Sequence, residues 1–182
     1  RQKLPYLAGM GVTMIYLNPI FEAHANHRYN TANYRKIDPL LGNVQDFRAL
    51  CRDAKSFGIR IILDGVFSHT GSDSIYFNRE GRYPQPGAWQ DVHSPYRSWY
   101  DFSPQYACGY RSWWGFETLP EVNEHDPFYR AFITGEGGVI DYWLEQGASG
   151  FRLDVADELP DDFIADIRRA VKRHGEDKYL LG

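Results

Sequence analysis

Two hydrophobic periods alternate along this chain. The run "VTMIYLNPI" (residues 12–20) is apolar, rich in β-formers and closed by a proline, which predicts a buried strand. In "VQDFRALCRDAKSFG" (residues 44–58) the spacing becomes helical. Phe47, Leu50, Cys51, Ala54 and Phe57 share one face there, with Asn43 as N-cap and Gly58 as stop. "IRIILDGVF" follows at once as a second strand. From "DPFYRAF" to "GGVIDYWLEQG" the pattern reads as one helical stretch, opened by Asp126 as cap and Pro127 at the first helical position and stopped at Gly147. "SGFRLDV" is the third strand. "LPDDFIADIRRAVKRHG" is a helix with Phe163, Ile164, Ile167, Ala170 and Val171 on one face, and "KYLLG" begins a fourth strand.

Strands that alternate with helices across tight returns run parallel in an α/β architecture. These strands are apolar on both faces, as a sheet covered on both sides requires. The rhythm breaks between His69 and about His125, a connection too long for a simple loop. It holds four of the five tryptophans, Trp89, Trp99, Trp113 and Trp114, and predicts an inserted lobe with its own packing. The expected organisation is therefore 1–69, an insertion over 70–125, and 126–182. Four strand candidates leave two architectures open, a doubly wound sheet or part of a (β/α)8 barrel. A full barrel takes about 250 residues.

Composition narrows the function classes. With 182 residues, 43% hydrophobic and 24% charged, the chain is globular and large enough for one ordinary domain. A net charge of −4 without a clustered basic surface argues against a nucleic-acid partner. No apolar run approaches the roughly 20 residues of a membrane span. The N-terminal "RQKLPYLAGMG" shows no signal-peptide core. Cys51 and Cys108 do not form a disulfide framework and read as free thiols.

Polar residues gather where the strands end, which is where α/β folds put their sites. In "GFRLDV" a period of two sends Phe151, Leu153 and Val155 to one face and Arg152 and Asp154 to the other. A carboxylate beside a guanidinium stays ionised. The pair is either structural or an oriented nucleophile. "DGVFSH" repeats the choice, with Asp64 at a strand end and His69 five positions on; a turn aspartate and a loop histidine are the plain alternative. No Cys/His spacing suggests zinc, and His24 and His27 sit in a loop without a third ligand. "GEGG" lies inside a helical stretch rather than after a strand, so no phosphate loop is present.

Four stretches, "NPIFEAHANHRYNTANYRKIDPLLG" (18–42), "DGVFSH" (64–69), "LPEVN" (119–123) and "GFRLDVADE" (150–158), together resemble the ordered motifs of the alpha-amylase family. The likeness is to its neopullulanase/cyclomaltodextrinase branch, glycoside hydrolase family 13. It covers nearly the whole chain, from the helix after barrel strand 1 to the start of strand 5. It implies a partial (β/α)8 barrel with an inserted domain B, acting on α-glucan oligosaccharides or polysaccharides. It also implies Asp154 as nucleophile, Arg152 as the group that orients it, and Asp64, His69 and Tyr29 around the scissile sugar, with Tyr29 stacking on its ring. Glu158 is implied on the leaving-group side, against a solvated helix cap as the alternative.

The chain departs from the branch at Asn30 and Asn33, where Asp is usual, and at Ser68 and Asp157, where Asn is usual. Ser68 stands where relatives often keep a structural calcium, and the chemistry itself calls for no cofactor. The family's general acid directly follows a strand like "KYLLG", so residues 1–182 are expected to be inactive alone and to self-associate through open sheet edges. Transglycosylation, α-1,6 specificity, or a non-catalytic carbohydrate-binding relative remain as alternatives.

Overall fold

A computed structural model describes all residues, 1–182. After a short helix α1 (Leu4–Gly9), strand β1 (Met14–Tyr16) leads to a hairpin of β2 (Phe21–Ala23) and β3 (Thr31–Ile37). Helix α2 (Val44–Ser56), strand β4 (Arg60–Gly65), helices α3 (Pro127–Thr134) and α4 (Val139–Glu145), strand β5 (Gly150–Leu153), helix α5 (Asp161–Lys172) and strand β6 (Tyr179–Leu181) complete the order. β1, β4, β5 and β6 form one sheet in that order, every pair parallel. Its register sets Asp64 directly opposite Arg152.

The capping chemistry behaves as its residues dictate. The Asn43 side chain accepts from the Gln45 and Asp46 amides, and Asp46 answers the Asn43 amide, closing a capping box on α2. Phe47, Cys51 and Ala54 are buried beneath it, whereas Phe57 lies past the last turn and is exposed. Asp126 caps α3 through the Phe128 and Tyr129 amides. The stretch expected as one helix breaks into α3 and α4 at Gly135–Gly138. A Cβ on Gly138 would lie within 2.9 Å of the carbonyl oxygens of Gly135, Ile133 and Phe132. The chain folds back too tightly there for any side chain, so the helix cannot run through.

The β2–β3 hairpin has no counterpart in the sequence reading, which placed His24 and His27 in a loop and read no strand over residues 21–37. Tyr34 on β3 explains why it forms. Its ring is fully buried, its hydroxyl donates to Val66 O at 2.6 Å, and Trp143 Nε1 donates to its carbonyl at 2.7 Å. The hairpin is thus held by tertiary partners rather than by a local alternating pattern.

Residues 70–125 contain two single 3-10 turns and isolated antiparallel bridges, among them His69–Glu121 and Ser112–Pro120. Phe77, Tyr100, Phe102 and Tyr110 pack edge to face or stacked around one another. Tyr76 and Trp99 carry that packing directly onto Phe132 and Tyr129 of α3. Residues of this segment share one hydrophobic cluster with the strands and helices. Phe77 and Tyr110 are buried within the segment itself, whereas Trp99 is buried against α3.

β5 ends at Leu153, earlier than the alternation predicts. Val155 turns into the left-handed region at φ 44°, a costly conformation for a β-branched residue. It therefore leaves the face of Phe151 and Leu153, and Asp154 sits at the corner.

Candidate active site

The parallel register delivers Asp64 and Arg152 side by side at the C-terminal ends of β4 and β5. One guanidinium nitrogen, Arg152 Nη1, donates to Asp154 Oδ1 at 2.6 Å and to Asp64 Oδ1 at 3.1 Å. The Tyr16 hydroxyl, from the end of β1, donates to the other Asp64 oxygen. Asp64 is almost fully buried, and burial raises its pKa even though Tyr16 and Arg152 pull it down. Burial opposes the Arg152 charge too, but the hydrogen bonds of Asp154 and then Asp64 outweigh it and hold the guanidinium above its ordinary range. Burial first, then the Asp64 hydrogen bond, pushes the Tyr16 phenol up, so it stays a donor.

His69 is 2% exposed. Its Nδ1 lies 3.0 Å from Ser68 Oγ, and its Nε2 has no protein partner. Burial lowers its pKa to about 4 against the pull of Asp154, so the ring is neutral near pH 7. The Tyr29 phenol is raised, chiefly by burial. Tyr29, His69, Asp154, Val155, Trp113 and Phe116 line one cavity of about 730 Å³ that extends past His27 towards Asp73. This is a suitable size for a small-molecule cleft.

The structure thus brings Tyr29, Asp64, His69, Arg152 and Asp154 together. Glu158 stands apart at the rim, where its two carboxylate oxygens accept from Trp113 Nε1 at 2.7 Å and Trp114 Nε1 at 2.9 Å. Sequence reasoning missed Tyr16, whose signal was its place at the same end of a strand as Asp64. Around Ser68 the hydroxyl faces His69 and the carbonyl accepts from the Val122 amide. No three His, Cys, Asp or Glu side chains converge.

A parallel sheet with charges gathered at its strand ends and an aromatic-lined cleft beside them has the layout of an α/β enzyme domain. Residues 1–179 match the model of the alpha amylase catalytic domain, and the chain belongs to that family. It is 45% identical over 188 residues to an amylopullulanase of Thermoanaerobacterium saccharolyticum, covering 93% of this chain and 14% of that protein. It is 35% identical to neopullulanase 2 of Thermoactinomyces vulgaris, covering 99% of this chain and 30% of that one. Among solved structures, the cyclic α-maltosyl-(1→6)-maltose hydrolase of Arthrobacter globiformis, in complex with maltose, superposes with a TM-score of 0.86. The identity is 33%, over 98% of this chain and 40% of that one. The chain therefore spans less than half the length of each of these relatives. The resemblance read from the four motifs holds, and so does the fold class, an α/β parallel sheet with helices matching part of the barrel of these enzymes.

Proposed function

We propose that this chain supplies the nucleophile side of a retaining α-glucan hydrolase acting on maltodextrin, cyclodextrin or pullulan-type substrates. The observation that carries the reading is the single Arg152 nitrogen shared by Asp154 and Asp64, with Asp154 lining the cleft and Asp64 buried behind it. The guanidinium orients the Asp154 carboxylate towards the anomeric carbon. Attack forms the glycosyl ester while the bond to the leaving oxygen breaks, and that oxygen takes a proton from a second carboxyl. Water then releases the sugar with its configuration retained.

The other groups suit the sugar that reacts. The buried Nε2 of neutral His69 is an unsatisfied hydrogen-bonding atom in a residue that lines the cleft, and the Tyr29 ring offers a flat face to a pyranose. The Tyr16 hydrogen bond and Arg152 hold Asp64 in a fixed rotamer. Retention needs an acid about 5–5.5 Å from the nucleophile. Asp64 is occupied by Tyr16 and Arg152, and Glu158 by two indoles. Neither is therefore free to serve as the acid, and residues 1–182 alone are expected to show no turnover.

Replacing Asp154 by Asn in the full-length protein keeps the shape and removes the nucleophile. Turnover of maltodextrin, β-cyclodextrin and pullulan should fall by roughly four powers of ten. Activity within about tenfold of the wild type, or an inverted first product by NMR, would overturn the proposal.

A further inference from the structure

Trp113 and Trp114 are chain neighbours, yet their rings stack, with centroids 5.3 Å apart and planes inclined by 25°. Consecutive side chains of regular backbone do not face one another. Here the stack exists because Trp114 adopts φ 51°, ψ 25°, the left-handed region that a bulky side chain occupies only when its surroundings hold it there. The inner face of the pair continues to His69, whose ring lies 5.4 Å from that of Trp113. Phe116 adds a third ring, 6.2 Å from Trp113 and inclined by 26°. A row of aromatic rings thus runs from the buried imidazole of the site out to solvent.

Its outer members do no work in the core. Trp114 is 76% exposed and Phe116 56% exposed, while Trp113 and Phe116 line the same cavity as Asp154. A strained backbone that presents apolar rings to water needs another reason, and Glu158 points to it. Both oxygens of this carboxylate are spent on the two indole N–H groups, which pins the rings by their polar edges and leaves the Trp114 face open. Glu158 comes from the turn that follows Asp154, so the nucleophile and the aromatic row are held by one short segment.

We infer that Trp113, Trp114 and Phe116 form a glucan-stacking platform that continues the cleft outwards, and that Glu158 is its positioning residue. The occupant is an α-glucan chain whose scissile unit lies at Asp154 and whose outer glucose packs its C–H face on Trp114. Pyranose rings suit such a surface because one face is apolar while the hydroxyls stay in water. Glu158 acts on that sugar through the indoles, not by touching it. This inference deepens the hydrolase reading above and rests on it.

The test is equilibrium binding of maltoheptaose to the full-length protein in the Asp154→Asn background, by titration calorimetry. Circular dichroism follows the exciton-coupled indole signal in parallel. Trp114→Ala should weaken binding about tenfold. Glu158→Ala should weaken it about as much and abolish the exciton signal, and the double variant should be no weaker than either single one. Glu158→Gln, which keeps an oxygen acceptor for one indole, should recover part of both signals. Phe128→Ala, an equally exposed aromatic on α3 outside the cleft, should change neither. Unchanged binding in Trp114→Ala would overturn the platform, and so would weaker binding in Glu158→Ala with the exciton signal intact. Either result leaves the hydrolase reading standing. Retained turnover in Asp154→Asn, with no maltoheptaose binding to the intact protein, would instead remove that reading and this one together.

Discussion

Acid should destabilise this protein through His69 in a way that a single substitution can isolate. The ring is 2% exposed, and burial lowers its pKa from 6.5 to about 4 even though Asp154, the Tyr29 backbone and Glu158 favour the charge. Protonating it would bury a cation whose partners, Asp154, the Tyr29 backbone and Glu158, do not offset the lost hydration. Because the folded pKa lies below the unfolded one, the stabilisation is fully present above about pH 6.5. It is lost as pH falls through that value towards about 4. The full shift corresponds to roughly 3 kcal/mol, of which roughly 2 kcal/mol is lost between about pH 7.5 and about pH 5. Asp64, with its raised pKa, works in the opposite sense, stabilising at low pH and less so as pH rises through its folded value. It is present in both wild type and variant and cancels in their difference. The measurement is urea unfolding followed by tryptophan fluorescence, for wild type and His69→Asn, across this pH range. The wild type should lose roughly 2 kcal/mol more than the variant. Parallel stability curves for the two proteins would refute the argument, since they would mean that the imidazole charges in the folded state as easily as in the unfolded one.

Two further substitutions probe the frame of the site. Gly150 sits at φ 153° on β5, and a Cβ there would lie 2.0 Å from Tyr179 O, so Gly150→Ala should break the β5–β6 pairing and cost about 3 kcal/mol by urea unfolding. A cost below about 0.5 kcal/mol would show that the two strands separate freely. Arg152→Met leaves Asp64 and Asp154 as neighbouring carboxylates without their shared cation. Arg152 is one of the groups that lower the Asp64 pKa, so its loss should push Asp64 further up, read as an upward shift of the Asp64 carboxyl in an NMR titration. An unmoved Asp64 titration would mean that the guanidinium does not help to hold its charge.

The repeating apolar runs and amphipathic faces determined the strand order in sequence, the parallel sense and the helix starts at Asn43 and Asp126. These depend on local period and capping, which any window of the chain displays. The motifs around Asp64, His69, Arg152 and Asp154 pointed to one end of the sheet, because strand ends must meet wherever parallel strands pair. The break at Gly138, the hairpin around Tyr34 and the fusion of the Trp99 cluster with α3 were not legible. Each depends on which distant carbonyl or ring occupies the adjoining space. The same holds for Tyr16 against Asp64 and for Glu158 beneath two indoles. The residue types were visible in the sequence, but hydrogen bonds over 48 and 45 positions of chain exist only once the sheet has set β1 beside β4 and a left-handed turn has folded Trp114 onto Trp113.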